Sequence, residues 1–209
     1  MKTDLLELDS YSLLLFKRRK YSNIVVGVPH HAPVGVKKLP CPEHEDADEN
    51  AGFIGQYVAE ALELCSVIAC NYPIDVNKSM SSDYATIIAG LKAKYLIEIH
   101  GHGNKLAKFN VEISSGKKDR TISADFANAI LEKSSRIDDL KNISVSGDFQ
   151  KIHFKATNSE TITTDSWIPF HIELPPELRI PTRAGSIRPP AVAYYFADCV
   201  VNAIKKICI

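Results

Sequence analysis

Runs of apolar residues alternate along this chain with amphipathic stretches, and the periods predict a series of strands and helices. "SLLLF" (12–16) and "NIVVGV" (23–28) are short apolar runs separated by the basic turn "KRRKYS", which is the pattern of two strands. "AGFIGQYVAEALELC" (51–65) places Phe53, Ile54, Tyr57, Val58, Ala61, Leu62 and Cys65 on one helical face. "SVIAC" is β-branched and strand-like. "SSDYATIIAGLKAK" reads as a helix whose serine oxygen can accept the free amide protons of the first turn. "YLIEI" (95–99) is a continuous apolar run of the kind found in sheets covered on both faces.

The second half is less regular. "FNVEIS" predicts a strand and "SADFANAILEKSS" a capped helix, while "ISVSG", "KIHFKA" and "TITT" read as a group of short strands. "FHIEL" (170–174) is a further strand. "PPAVAYYFADCVVNAIKKI" is a long helix that starts after prolines, whose fixed φ suits a first turn; its apolar stripe could serve a core or an interface. Strands alternating with helices predict a three-layer α/β/α sandwich around a mixed, largely parallel sheet. At 209 residues the expectation is a single α/β domain, 1–209, with room for a β-rich insertion around 140–165.

Composition narrows the function only by exclusion. Hydrophobic content of 45% and charged content of 24% are those of an ordinary globular chain. The 25 basic and 25 acidic residues cancel, which gives no bulk electrostatic reason to expect nucleic acid or an anionic membrane. At the start, acids precede the short apolar run and the basic cluster follows it, the reverse of a secretory signal. Cys41, Cys65, Cys70, Cys199 and Cys208 are odd in number and show no CxxC spacing, so they read as reduced thiols of a cytoplasmic protein. Neither nucleic acid nor a membrane is expected as a partner, and the oligomeric state stays open.

Polar groups gather where strands end. "NIVVGVPHH" and "YLIEIHGHG" both deliver histidine at the carboxyl end of a strand, the side on which open α/β sheets bind ligands. Either pair alone is compatible with an ordinary loop, and "EHEDAD" alone with a solvated acidic one. Together they offer two imidazoles and an acid, the donor set of a catalytic zinc site with one position left for water. In "FHIEL", side chains two apart share a face, so His171 and Glu173 point together. That pair fits an ordinary strand edge as well as a site.

The order of these motifs resembles the N-formylglutamate amidohydrolase family, relatives of the zinc carboxypeptidases. The carriers are "VPHHAP", "DENAGFIGQYVAEAL", "IDVNK", "EIHGHG" and "FHIELPPELR", spread over roughly residues 22 to 180. The resemblance implies a phosphorylase/hydrolase-like, zinc carboxypeptidase-like fold and a Zn2+-dependent amidohydrolase that cleaves the C–N bond of an N-acyl (N-formyl) amino acid or similar small amide. It makes His30, Glu49 and His100 the metal ligands, with Asp48 the alternative acid. Glu98 becomes the acid that orients His100, and Glu173 the general base. Asn77 and Lys78 fall on the Asn-Arg pair that receives the substrate carboxylate. Lysine lacks the bidentate fork of arginine, and Arg179 or Arg183 could supply the missing cation. His31 is bulky where relatives commonly carry a small residue. His102 and His171 have no role in this transfer: His102 reads as a hydrogen-bonded loop residue before a stabiliser of oxyanion charge, and His171 equally as an edge pair or such a functional group. Two rival readings remain open, a metallocarboxypeptidase or γ-glutamyl hydrolase on longer chains, and a non-catalytic binding module.

Overall fold

A computed structural model of the chain describes the backbone of Thr3–Glu7 and all of residues 12–19 and 23–209. Part of the expected basic turn, residues 20–22, and part of the acidic start lie outside the described residues. In chain order the elements are β1 (Thr3–Glu7), β2 (Leu13–Lys17), β3 (Ile24–Ala32), β4 (Asp48–Glu49), α1 (Ala51–Ala61), β5 (Cys65–Cys70) and α2 (Asp83–Gly90). There follow β6 (Tyr95–Gly101), β7 (Val111–Ser114), α3 (Ile122–Ser134), β8 (Val145–Ser146), α4 (Glu160–Thr163), β9 (Ile168–Leu174) and α5 (Ala191–Ile207).

The expected α/β/α sandwich is what the chain forms. Among the described residues nine strands make one sheet in the order β1-β2-β5-β3-β6-β9-β7-β8, with β4 on β3. The centre, β5-β3-β6-β9, is parallel, and antiparallel pairs flank it at β2/β5 and β7/β9. The central runs are mostly apolar on both faces because both are covered, and the buried polar residues among them gather toward the carboxyl ends. Val26, Ile97 and Ile99 join α1, α3 and α5 in one core cluster. Val25 and Leu96 join Tyr84 and Ile88 of α2 in the other. The stripe of α5, including Phe196, Ala197, Val200 and Ile204, is part of the first cluster, so it serves the core. All five cysteines are free. Among the described residues no helix is long and apolar enough to cross a membrane.

Two local expectations fail, each for a tertiary reason. The strand group expected around 140–165 reduces to the two residues of β8. "KIHFKA" forms turns instead, because the buried Glu112 carboxylate takes the His153 and Phe154 amides that a neighbouring strand would have bound. "TITT" is helical in α4, where Thr161 turns its hydroxyl onto the buried Glu98, 3.0 Å away. The two helix starts also differ. Ser82 caps α2 as expected, accepting from the Ala85 amide at 3.1 Å. At α3 the N-cap is Thr121 with no side-chain bond, and Ser123 instead ties the helix to the Gly147 carbonyl at 2.9 Å.

Candidate metal centre

The site begins with an irregularity in β3. Val26 and Val28 face α1, where a Cβ added at Gly55 would clash with Val28 at 2.4 Å and touch Val26 at 3.5 Å. Simple alternation would send His30 the same way. The register shifts between Val28 and His31, around Pro29, which has no amide proton to give a ladder. Such a bulge re-aims the side chains beyond it. His31 therefore takes the α1 face: its Nδ1 accepts the Gly52 amide at 3.3 Å, and its ring fills the space a Cβ at Gly52 would need. That explains a bulky residue beside the site, and burial holds its imidazole down at about 4. His30 is released to the opposite face.

The long segment 33–47 then folds back on itself, with the Leu39 amide on the Glu45 carbonyl at 2.7 Å and a Lys38–Asp46 bridge. It returns the chain to β3 so that Asp48 pairs with His31 and Glu49 with Ala32. Glu43, Glu45 and Asp46 are exposed, as a solvated loop should be, but Asp48 is buried. Its Oδ2 lies 3.6 Å from Nδ1 of His30 and 3.6 Å from Nδ1 of His100. Glu49, the acid preferred from the sequence, is turned away. Its side chain accepts the Gly35 amide at 2.6 Å and its carbonyl accepts Nη1 of Arg179 at 2.9 Å. The acid that joins the two histidines is Asp48.

Each imidazole is oriented from behind by a carboxylate. Nε2 of His30 meets Oδ1 of Asp75 at 2.9 Å, and Nε2 of His100 meets Oε2 of Glu98 at 2.9 Å. Glu98 is itself held by Tyr84 at 2.9 Å, by Thr161 and by Asn77 at 3.4 Å. Tyr84 fits only because residue 27 is glycine: a Cβ there would sit 2.1 Å from its hydroxyl oxygen.

The residues fit a divalent cation. Nδ1 of His30 and Oδ2 of Asp48 are buried with no hydrogen-bond partner, and 3.6 Å is too long for one between them. Two nitrogens and one oxygen match a catalytic zinc set. Two further groups, His30–His44–Asp75 and His100–His171–Glu173, are also close enough to share an ion. Each shares a histidine with the His30–Asp48–His100 set and also has buried atoms without a hydrogen-bond partner, Nε2 of His44 in one and Nδ1 of His171 and Oε2 of Glu173 in the other. In the first, Asp75 faces the Nε2 of His30; in the second, Nε2 of His171 is 3.3 Å from Glu173. Among the described residues only His30 and His100 pair one ring nitrogen with an orienting carboxylate and keep the other for Asp48. If this set binds the ion, Asp75→Asn and Glu98→Gln should each weaken zinc affinity by roughly 10–100-fold, measured by competition with a chelator.

Charge sharpens the centre. Burial opposes protonation of His30, but Asp48 and Asp75 outweigh it and raise the ring to about 9. Asp48 is held below its usual range by the same histidines despite its burial. A metal needs the imidazole neutral. Binding at pH 7 should thus release at least one proton, and apparent affinity should rise about tenfold per pH unit between pH 7 and 9. Calorimetry in buffers of different ionisation enthalpy measures the proton directly.

Burial raises the Glu173 carboxyl to about 7, His100, Arg179 and His30 opposing and Asp48 reinforcing the rise. Burial, with His100 and His30 beside it, keeps His171 well below its usual value and therefore neutral; its ring lies 4.2 Å from that of His100. As alternation in "FHIEL" predicts, His171 and Glu173 point together, onto the same face as His100. His30, His44, Lys78, His100, His171 and Glu173 line one cavity of about 310 Å³ with the segment 153–159.

The remaining sequence candidates have other employment. Lys78 is 2.8 Å from Oδ2 of Asp75. Arg179 is buried and donates to the carbonyls of Leu174, Glu49 and His102, strapping the strand ends together. Arg183 is exposed and off the cavity. Nε2 of His102 donates to the Asn110 carbonyl at 2.9 Å and its Nδ1 accepts the Asn104 amide at 3.0 Å, as a hydrogen-bonded loop residue does. The sequence reading passed over Asp75, although it stands in "IDVNK", and His44, whose ring stacks on His30 at 3.8 Å.

Sheet order and strand-end placement define an α/β sandwich carrying a candidate His–Asp–His centre. Among solved structures it is similar to a bacteriophage poly-gamma-glutamate hydrolase, with TM-score 0.58, 10% identity, and 96% of this chain and 91% of that one covered. It is also similar to N-formylglutamate amidohydrolase from Ralstonia eutropha JMP134, with TM-score 0.55, 12% identity and 95% and 97% covered. N-acetylmuramoyl-L-alanine amidase from Clostridium difficile 630 matches with TM-score 0.50, 14% identity and 88% and 96% covered. At such identities the likeness is one of fold. No protein-family model and no curated protein matches the chain.

Proposed function

We propose that this chain is a zinc-dependent hydrolase of C–N amide bonds, acting on an N-acyl amino acid or a similar small amide. The observation that carries the reading is the convergence of Nδ1 of His30, Nδ1 of His100 and Oδ2 of Asp48, with Glu173 in the same cavity. The resemblance to N-formylglutamate amidohydrolases and the amide hydrolases among the structural neighbours support it. The cavity of about 310 Å³ lies at the small end of ligand pockets, which run from about 300 to 1,000 Å³, and suits a small substrate.

His30, His100 and Asp48 would hold the ion, which when bound polarises a carbonyl and makes water more acidic. Glu173 takes a proton from the attacking water as the oxygen bonds the carbonyl carbon. A carboxyl near neutrality suits that task and the reverse one. When the C–N bond breaks, Glu173 hands the proton to the leaving nitrogen, giving a carboxylic acid and an amine. His171 stands beside Glu173 as a neutral neighbour, its Nε2 3.3 Å from Oε1.

A second reading is hydrolysis of longer γ-glutamyl chains. It is favoured by the fold shared with a poly-gamma-glutamate hydrolase and by Lys78, which lines the cavity and can face the α-carboxylates that such a chain carries on every residue. The test is a panel of N-formyl and N-acetyl amino acids beside γ-glutamyl oligomers, with and without zinc. Turnover of acyl amino acids that disappears with chelation and returns with zinc supports the first reading; turnover of oligomers alone supports the second. Protein that takes up no zinc supports a binding module instead.

A further inference from the structure

We propose that Glu112 is the positioning residue of the substrate wall, fixing the cavity-lining segment 153–155 so that substrate fit depends on β7 as well as on the metal centre. The inference rests on the hydrolase reading above. Glu112 stands directly opposite Glu173 in the sheet, and Ser114 directly opposite His171. Both face the site side, since Val111 and Ile113, which alternate with them, belong to the other core cluster.

Glu112 is wholly buried, yet every direction of its carboxylate is used. Oε1 accepts the amides of Lys108 at 2.7 Å and Phe109 at 3.3 Å. Oε2 accepts those of His153 at 2.7 Å and Phe154 at 2.8 Å. Ser114 donates its hydroxyl to the Lys155 carbonyl at 2.7 Å. Three consecutive wall residues are thus tied to the strand beside the proposed general base. Phe154 is further set between His102, stacked at 5.4 Å, and the edge of His153 at 4.8 Å.

A carboxylate with four amide donors has no acceptor capacity left for a reacting group, so Glu112 moves no proton. Burying an unpaired carboxylate would be costly, and these charge-assisted bonds are what hold it there. They also fix segment 153–154 in one register over the cavity. The residue acts through the wall that it holds.

Glu112→Gln tests this in the zinc-loaded chain, because it keeps the volume but turns an NH2 group onto two amide donors. The expected results are amide exchange faster by about tenfold across 108–109 or 153–154 with β6 unchanged, and one zinc per chain retained. KM for the amide hydrolysed should rise about tenfold with kcat within about twofold. Phe154→Ala, which leaves the clamp intact, should raise KM alike without speeding exchange at 108–109. Unchanged exchange in Glu112→Gln, or a fall in kcat at constant KM, overturns the proposal. If Glu112→Gln does not fold, Phe154→Ala decides alone, and a KM equal to wild type overturns it. If the wild type hydrolyses no amide, the hydrolase reading fails, while the exchange result still decides whether Glu112 holds the wall.

Discussion

Asp48→Ala should abolish zinc binding at micromolar metal, while Glu49→Ala should leave one ion per chain. The adjacent acids differ in what their chain positions permit. Asp48 presents a buried, unpartnered oxygen 3.6 Å from a ring nitrogen of each of two histidines. Glu49 spends its side chain on the Gly35 amide. Losing one of three donors should cost more than the roughly 10–100-fold typical of an orienting partner, so the loss in Asp48→Ala should exceed a hundredfold. Metal content after dialysis, by plasma emission, separates the two variants. Equal retention by both would remove Asp48 from the ligand set.

The second large effect belongs to Glu173→Gln, which should lose roughly 10²–10⁴-fold in kcat while keeping its zinc. The same substitution should stabilise the metal-free protein. Burial lifts the Glu173 carboxyl from 4.5 to about 7. Between those values the folded chain keeps a proton that the unfolded chain releases, so stability from this group falls as pH climbs through the window. Above pH 7 the full cost of a buried charge remains. Glutamine avoids it, so at pH 8 metal-free Glu173→Gln should be the more stable by about 1–3 kcal/mol, and the difference should vanish near pH 4.5. Denaturant melts at the two pH values provide the comparison. An activity near wild type would exclude Glu173 as the base, and a lower stability at pH 8 would mean its carboxylate is well paired.

Most of the framework was legible because periodicity reports burial. The central strands appear as largely apolar runs, and α1 and α5 as stripes, since both sheet faces are covered. Alternation also places His171 and Glu173 on one face correctly. What stayed hidden depends on non-local partners. Alternation from Val28 would turn His30 into the helix layer; only the shift at Pro29, made against β5, reverses it. Asp48 and Glu49 cannot be told apart in a two-residue strand whose register is set by pairing with β3. "KIHFKA" and "TITT" look like strands until Glu112 and Glu98 claim their amides and hydroxyl. Buried carboxylates overrule local propensity in both places. The family resemblance located His30, His100, Glu98 and Glu173 within one cavity and its supporting shell, but its arginine counterpart, Lys78, is turned to Asp75.

Anomalous diffraction from a zinc-loaded crystal tests the central claim most directly. One ion should lie about 2.0–2.2 Å from Nδ1 of His30, Nδ1 of His100 and a carboxylate oxygen of Asp48, with Glu173 near the ion but not bonded to it. An ion seated instead on His171 and Glu173, or on His44 and Asp75, or no ion at all at saturating zinc, would contradict it.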